Sequence, residues 1–497
     1  MQDKRVIIIG AGPGGLTAAM ILAHKGYQVD VYEKRDQVGG RNGAITLEGG
    51  FTFDIGPTFL MMLWILEEAF EKCDRKVEDY LDIRQVDPLY RLIYGDGREL
   101  SPTHDEAAMK AQFDELFPGE WAGYKRFLAY EKTKLEHLVP CLQVPYSKFT
   151  DFGRWRLIKA VPYLDMHKSL FDHLGRFFES DPLKLAFTFQ AKYLGMSPWD
   201  CPGTFSMISY IEHAGGIHHP IGGLNRVCHA MAKVVEEEGG RIHLSTPVQE
   251  IVVEQGRTTG VRIGDQVETA DHVLCNADFG HAMTKLVSDD HLRNWTPAKL
   301  DKAGLSCSIY MLYLGVDKTY DIPHHNIYFA DDYKENVHDI AHKMSLSDDF
   351  SFYIQNASVT DPTLAPEGKS TLYVLVPVPN TRSGIDWAEE GPAFRDRVVD
   401  AMVQRAGLSD LREHIEVETS ITPDDWEQER DVYRGAVFNL AHNIGQMLWF
   451  RPHNHFDDIR ELYLAGGGTH PGSGLPTIYQ SGMISAELIS KADGHAG

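Results

Sequence analysis

A glycine-rich turn near the start of the chain constrains the fold more than any other feature. The β-branched run over residues 5–9 predicts a strand buried on both faces, and it leads into Gly10, Gly12 and Gly15, spaced as G-x-G-x-x-G. In this spacing the first glycine makes the turn, the second lets the backbone approach a pyrophosphate, and the third lets the next helix pack closely. That helix, expected over 14–25, points its positive end at phosphate. The segment therefore predicts a Rossmann-type dinucleotide site.

An acidic residue and a second turn extend this site. Residues 28–32 are predicted to form a strand, and Glu33 follows it, where a carboxylate accepts hydrogen bonds from a ribose 2′-hydroxyl and repels a 2′-phosphate. Lys34 beside it is a further candidate contact. Gly40 and Arg41 belong to a second turn, whose guanidinium suits a phosphate or ribityl contact. A nicotinamide enzyme has no obvious use for this second turn, so FAD is the favoured dinucleotide.

The last forty residues predict the other half of a flavin site. Residues 461–465 are predicted as a buried strand, a glycine-rich turn follows, and a helix is expected over 477–491. The candidate contacts in this turn are Gly467, Gly468, Gly474 and Pro476. Backbone N–H groups and a helix N-terminus would face the ligand there and stabilise negative charge on a reduced flavin. The alternative is a turn with a purely structural role.

Further motifs follow one another in order along almost the whole chain. They are Asp54-Ile55-Gly56-Pro57-Thr58, Asp87-Pro88-Leu89-Tyr90, Gly222-Gly223-Leu224, Asn276-Ala277-Asp278, Trp449-Phe450-Arg451-Pro452 and Ala465-Gly466-Gly467-Gly468-Thr469-His470-Pro471-Gly472. Together with the N-terminal glycine loop and Glu33, they resemble the bacterial phytoene desaturase family of carotenoid desaturases. The resemblance implies FAD as the cofactor and a long apolar polyene as the substrate.

The same resemblance implies cofactor contacts in the middle of the chain. The candidates are Gly56, Pro57, Thr58, Val248 and Asn276. In the family, the backbone of the second FAD-contacting segment meets the adenine, which makes Val248 the candidate there. Asp54 is expected to shape the turn beside the flavin rather than to transfer protons.

We expect an α/β fold with a discontinuous Rossmann-type FAD-binding domain, an inserted mixed-sheet substrate domain and a helical membrane-associating part. The expected FAD-binding pieces are residues 1–84, 216–294 and 455–497. Residues 85–215 are expected to form the helical, membrane-associating region, and residues 295–454 the substrate domain.

Composition excludes some classes of function and location. The net charge of −23 over 497 residues argues against nucleic-acid binding, which needs a basic excess. No run of eighteen apolar residues is free of glycine and charge, so no membrane-spanning helix is predicted. The six cysteines include no C-x-x-C pair, so we expect reduced thiols and no metal site. We expect a cytoplasmic protein.

One stretch, residues 146–168, is basic and aromatic although the chain as a whole is acidic. Its cationic and aromatic members are Lys148, Phe149, Phe152, Arg154, Trp155, Arg156, Lys159, Tyr163 and Lys168. Such a composition is typical of a helix that lies in a membrane interface, and also of an amphipathic helix packed on its own domain. The family resemblance favours the first reading, because a carotenoid must come out of a bilayer. We therefore expect peripheral attachment to the cytoplasmic membrane.

The absence of other motifs narrows the chemistry. The chain has no nucleophile elbow and no second G-x-G-x-x-G, so the flavin must take electrons from the organic substrate and pass them to a quinone or oxygen. For a base that removes the second hydrogen as a proton, the resemblance suggests Asp151, with Asp165 as a rival. A solvated surface carboxylate is the competing interpretation of either residue. An allylic cation could also lose this proton to a weak base.

Two other functions remain open from the sequence. One is a related flavin reaction, namely oxidation, isomerisation or saturation of a polyene. The other is a non-catalytic prenyl-binding protein similar to the GDP dissociation inhibitors. The complete dinucleotide motif disfavours the second.

Overall fold

The computed structural model describes residues 4–494. Its strands are β1 (Arg5–Ile9), β2 (Gln28–Tyr32), β3 (Ala44–Leu47), β4 (Phe51–Asp54), β5 (Ile83–Val86), β6 (Arg91–Ile93), β7 (Glu99–Leu100), β8 (Ile217–Pro220), β9 (Arg241–His243), β10 (Glu250–Glu254), β11 (Arg257–Ile263), β12 (Gln266–Thr269), β13 (His272–Cys275), β14 (Ser308–Val316), β15 (His325–Tyr328), β16 (Phe352–Asn356), β17 (Ser370–Val378), β18 (Ile415–Ile421) and β19 (Leu462–Leu464).

Its α-helices are α1 (Pro13–His24), α2 (Leu63–Glu71), α3 (Glu106–Leu116), α4 (Trp121–Leu142), α5 (Trp155–Ala160), α6 (Leu170–Leu174), α7 (Asp181–Ala186), α8 (Met207–Gly215), α9 (Asn225–Glu237), α10 (Phe279–His281), α11 (Pro297–Lys302), α12 (Tyr333–His338), α13 (Trp387–Arg405), α14 (Leu411–His414), α15 (Pro423–Gln428) and α16 (Leu475–Ala492). Short 3-10 turns connect many of them.

A parallel five-stranded sheet organises the first part of the fold, in the order β19-β13-β1-β2-β9. It draws strands from both ends and the middle of the chain, because β1 pairs with β13 and β13 pairs with β19. Val6, Ile7 and Ile8 are fully buried, as expected for a strand covered on both faces. The strands predicted over 5–9 and 28–32 are confirmed. The domain boundaries themselves stay a prediction.

Helix α1 packs against α16 through close backbone contacts that only glycine permits. A Cβ atom on Gly482 would lie 2.4 Å from the carbonyl oxygen of Gly14, so the two helices could not approach as they do. A Cβ atom on Gly15 would lie 2.4 Å from the carbonyl oxygen of Gly10. The third glycine of the motif thus lets the helix turn back onto its strand, as predicted.

A mixed seven-stranded sheet forms the second layer, in the order β18-β14-β17-β16-β15-β6-β7. Successive side chains along each strand point to opposite faces of the sheet. Leu312 and Val374 point to α13 on one face, whereas Ile309, Tyr373 and Leu375 belong to the other face. The predicted mixed sheet is confirmed. Strands β6 and β7 come from residues 85–215, the segment expected to be helical. Strand β6 pairs with β15, and this pairing buries the side chain of Leu92 fully.

Residues 146–168 form three short helical turns rather than one helix. These turns span Phe149–Gly153, Trp155–Ala160 and Val161–Tyr163. They leave Phe149 and Trp155 about two-thirds exposed. None of the helices in the described part of the chain is long and apolar enough to cross a membrane.

All six cysteines are free thiols in the structure. Five are buried and Cys307 is partly buried. Burial raises the pKa of Cys228 and of Cys275 to about 12, so these thiols stay protonated at neutral pH.

Candidate FAD and substrate site

A cavity of about 510 Å³ lies between the two sheets and collects almost all of the predicted contacts. The predicted residues that line it are Gly10, Gly12, Glu33, Lys34, Gly40, Arg41, Gly56, Pro57, Thr58, Val248, Asn276, Gly467, Gly468, Gly474 and Pro476. Gly15 lies beneath the loop, where its role is packing. The residues that follow β1, β2, β13 and β19 meet because the carboxyl ends of these parallel strands share one edge of the five-stranded sheet. Their individual contacts with a cofactor stay predictions.

The carboxylate of Glu33 is held in place by the backbone around it. It accepts hydrogen bonds from the amides of Ala11 and Arg35 at 2.8 Å and 3.0 Å, and Glu33 is only 5% exposed. These two bonds orient the side chain at the end of β2 and leave acceptor capacity on both oxygens. The geometry therefore suits recognition of vicinal ribose hydroxyls at the cavity wall.

Arg41 is fixed by a carboxylate that the sequence analysis did not assign. Its guanidinium contacts Asp278 at 3.2 Å, and Asp278 also accepts from the amides of Gly280 and His281 at the start of α10. Asp278 lies two residues after Asn276, within a motif that was recognised for its resemblance alone. The spacing of a carboxylate before a helix start is a capping signal that could have identified it.

The buried guanidinium of Arg451 stabilises the C-terminal glycine turn. Arg451 is 1% exposed and donates to the carbonyl oxygens of Gly467, Thr469 and Leu440 at 2.7, 3.2 and 3.3 Å. Burial lowers the pKa of Arg451 to about 9, which leaves it protonated at neutral pH. The carbonyls of the turn therefore point to Arg451, so the turn is held in one conformation at the cavity wall.

Asp54 connects the turn at 56–58 to the start of α9. Its carboxylate accepts hydrogen bonds from the amide of Asn225, the first residue of α9, and from that of Leu224 before it. Burial raises the pKa of Asp54 to about 6. The residue shapes this junction, which agrees with the structural role expected for it.

The cavity continues into an apolar half beyond the turn at 56–58. Its apolar lining consists of Phe59, Met61, Phe189, Ile309, Ile327, Phe352, Leu375, Pro377, Val437 and Phe438. Four polar side chains also line this half, namely Lys192, Cys307, Tyr353 and Tyr373. Burial lowers the pKa of Lys192 to about 7, since its ammonium group is largely removed from water. Such a cavity fits a long apolar molecule with no polar handle.

Comparisons with known proteins agree with this arrangement. The family described as flavin containing amine oxidoreductase matches residues 13–490. The chain belongs to this family. It is 50% identical over 491 residues to a 4,4'-diapophytoene desaturase (4,4'-diapolycopene-forming) of Methylomonas sp, with 99% of this chain and 96% of that protein covered. It is also 38% identical to a zeta-carotene-forming phytoene desaturase of Myxococcus xanthus, covering 99% of this chain and 94% of the relative.

Solved structures support the same fold. A structure of putrescine oxidase covers 99% of this chain and 99% of its own length, with a TM-score of 0.60 at 14% identity. The amine oxidoreductase fold, the FAD cofactor and membership among the carotenoid desaturases are therefore confirmed, and the protein is an oxidoreductase. The non-catalytic alternative is wrong.

Asp151, the predicted base, lies away from the cavity lining. Its carboxylate accepts from the amides of Ser147 and Lys148 and from the guanidinium of Arg154, all at about 3.0 Å. These bonds cap the turn at 149–153, which is a structural function for an acidic residue. A catalytic role for Asp151 stays a prediction that this position does not favour.

Asp165, its rival, belongs to a buried ion cluster inside the helical region. Lys134 lies 3.0 Å from the carboxylates of both Asp165 and Glu131, and His173 completes the cluster. Burial alone would raise the pKa of Asp165, but the positive charges of Lys134 and His173 lower it below its usual value. A carboxylate that is already satisfied and stabilised in its charged form is a poor proton acceptor.

No metal is expected from the sequence, and this stays a prediction. Glu335, His338 and Asp339 lie close enough together to hold an ion. Lys343 contacts both carboxylates, so their charge is already compensated.

Proposed function

We propose that this desaturase removes two hydrogens from an allylic CH₂–CH₂ unit of a C30 polyene of the diapophytoene type. One observation carries the proposal, namely that the apolar half of the cavity is continuous with the FAD half. The choice of a C30 polyene rests on the relative that shares 50% identity and is named a 4,4'-diapophytoene desaturase, whereas the phytoene desaturase relative shares 38%. A C40 polyene is the alternative substrate.

Bound FAD supplies the hydride acceptor for this reaction. The apolar side chains orient the polyene, because a hydrocarbon offers no polar group to hold, and they exclude water from the reacting carbons. Residues of the turns at 56–58 and 466–476 line the cavity and would contact both the cofactor and the polyene. Electrons then leave to a quinone or to oxygen.

We also propose that the enzyme is cytoplasmic and attaches to the membrane surface. The supporting patch combines two segments, one over 149–161 and a second over 444–450 that the sequence analysis missed. Phe149 contacts Trp449 with ring centroids 5.8 Å apart, and Phe450 beside it is 46% exposed. Lys159 lies over the ring of Trp155 and supplies positive charge for anionic lipid. Exposed aromatic side chains beside cations suit headgroup depth.

The substrate is tested by anaerobic reduction of the bound FAD in the purified holoenzyme. Diapophytoene or phytoene is delivered in liposomes, and flavin bleaching and polyene absorbance are followed together. We expect the C30 polyene to reduce the flavin at least tenfold faster than the C40 polyene. Faster reduction by phytoene contradicts the C30 proposal, and no reduction by either polyene contradicts desaturation.

A further inference from the structure

The cavity contains one hydroxyl group that is backed by a base. Tyr353 lies on β16 and lines the cavity, and its phenolic oxygen is 3.0 Å from Oγ1 of Thr58 and 2.7 Å from Nδ1 of His325. Thr58 belongs to the turn that separates the two halves of the cavity. The phenol of Tyr353 therefore lies at the boundary where polyene and flavin must meet.

His325 is enclosed by groups that keep it neutral before reaction. It is fully buried at the start of β15, and its ring lies 4.2 Å from that of Phe59 and 4.2 Å from that of His324. Burial lowers the pKa of His325 well below its ordinary value and raises the pKa of Tyr353 well above its own. Both groups are thus uncharged, and the Nε2 atom of His325 has no hydrogen-bond partner among the described residues.

We propose that Tyr353 and His325 form the proton relay that accepts the second hydrogen removed from the polyene. This inference rests on the proposed function. Tyr353 is the catalytic residue, because it borders the reacting carbons, and His325 is a positioning residue that acts through it.

The relay balances the atoms and electrons of the reaction. FAD held by the glycine loop and Glu33 would accept one hydrogen of the CH₂–CH₂ unit with its electron pair, and positive charge would develop on the allylic carbon as this hydride leaves. The phenolic oxygen of Tyr353 takes a proton from the neighbouring carbon, and the electron pair of that C–H bond becomes the new C=C bond. In the same step the original phenolic proton passes to Nδ1 of His325. His325 returns this proton when the quinone or oxygen takes up two electrons and two protons.

A transient positive charge on His325 would meet both favourable and unfavourable neighbours. The imidazolium faces the ring of Phe59, which favours a cation through its π face. Behind it, His324 is neutral, since burial lowers its pKa well below the usual value. The neighbouring His219 bonds the carboxylate of Asp361 at 3.0 Å. Asp361 lies behind His219, and the charge of Asp54 acts on Tyr353, whereas a positive charge on His219 would oppose charge on His325.

Other polar groups of the cavity fit the role less well. The phenol of Tyr373 donates to the carbonyl oxygen of Gly56, so its proton has no basic group to move to. Lys192 lies 4.6 Å from the ring centroid of Tyr333, with no hydrogen bond to the turn at 56–58 among the described residues. Lys192 is nevertheless a titratable amine in the cavity, and the experiment must separate it from Tyr353.

The experiment is anaerobic single-turnover reduction of bound FAD by liposomal diapophytoene. We expect Tyr353→Phe to slow reduction by roughly 10² to 10⁴, the usual contribution of general base catalysis, with the flavin spectrum unchanged. Tyr328→Phe, the matched control on β15 outside the cavity lining, should slow it less than about tenfold, and Lys192→Met should slow it much less than Tyr353→Phe does. Wild-type reduction should be slower in D₂O, because the exchangeable phenolic proton moves, and Tyr353→Phe should lose this effect.

A second measurement is independent of turnover. In ¹⁵N-histidine NMR spectra of the oxidised holoenzyme, we expect Nδ1 of His325 to be unprotonated, since it accepts from Tyr353. An Nδ1–H tautomer overturns the relay, because His325 could then take no proton from the phenol.

The outcomes separate the relay from the proposed function. A Tyr353→Phe rate within tenfold of wild type, or an equal loss in Lys192→Met, overturns the relay while the desaturase activity stands. A wild-type flavin that no polyene reduces overturns both. If Tyr353→Phe fails to retain FAD, the same reduction experiment is carried out with His325→Phe. This variant keeps the ring contact with Phe59 but removes the proton acceptor. A wild-type rate and D₂O effect in that variant overturn the relay.

Discussion

The carboxylate of Glu33 provides a quantitative test of the cofactor site. Glu33→Gln keeps the shape of the side chain but removes the charge and converts one acceptor oxygen into a donor NH₂ group. In the structure both oxygens are already engaged by the amides of Ala11 and Arg35. Those two bonds are present in the apoprotein and in the complex. Weakening them lowers the free energy of unfolding of both forms, so it has little effect on the Kd for FAD. The bonds to the ribose hydroxyls exist only in the complex.

The expected loss of affinity follows from those ribose bonds alone. A hydrogen bond to a charged group contributes about 1.5 to 3 kcal/mol, and glutamine loses one such bond with the ribose. Because 1.4 kcal/mol is a factor of ten in the dissociation constant, the Kd for FAD should rise roughly 10- to 150-fold. Asp30→Asn is the matched control. Asp30 is fully buried on the same strand, pairs with Arg5 and Arg241, and lies outside the cavity lining.

The assay is titration of the apoprotein with FAD, followed by quenching of flavin fluorescence, with thermal unfolding measured alongside. Asp30→Asn should lower the melting temperature but change the Kd less than about threefold, because it breaks ion pairs that bind no ribose. Glu33→Gln should weaken binding strongly. A Kd for Glu33→Gln within threefold of wild type would refute the ribose assignment.

Three further predictions concern carboxylates and the exposed patch. Asp151→Asn should slow single-turnover flavin reduction less than about tenfold, with a hundredfold loss as the contradicting result. Replacing Trp155, Arg154 and Arg156 together with glutamate should release the protein from anionic liposomes while flavin absorbance is retained, and unchanged co-sedimentation would contradict attachment. Lys134→Met should cost about 3 to 5 kcal/mol in urea unfolding, because two buried carboxylates lose their counter-ion, and a cost below about 1 kcal/mol would contradict this.

The dinucleotide half of the site could be predicted from the sequence because its constraints are local. A strand, a glycine turn and a helix occupy one short stretch, and each glycine has a backbone reason that sequence spacing exposes. Glu33 follows the second strand at a position that chain connectivity alone sets. The same reasoning placed Gly467 and Pro476, because a strand and a helix enclose that turn as well.

The polyene half could not be predicted in the same way, since its residues meet only through tertiary structure. Tyr353 and His325 lie on neighbouring antiparallel strands, and their contact depends on the register that pairs His325 with Gln355. No short spacing in the sequence encodes that register. The partnership of Lys134 with Asp165 was missed for a related reason, because a charged residue in a helical pattern is expected at the surface.

The distribution of acidic residues explains why a base was hard to identify by resemblance. Asp151 caps a turn, Asp165 neutralises a buried lysine and Asp54 caps α9, so each of these three carboxylates already has a structural partner. An apolar cavity disfavours a free carboxylate in any case, because burying an unpaired charge costs several kcal/mol. A neutral phenol backed by a neutral imidazole avoids that cost until the polyene itself becomes cationic. The chemistry of a hydrocarbon substrate thus favours a relay of neutral groups over the acidic base that sequence reasoning sought.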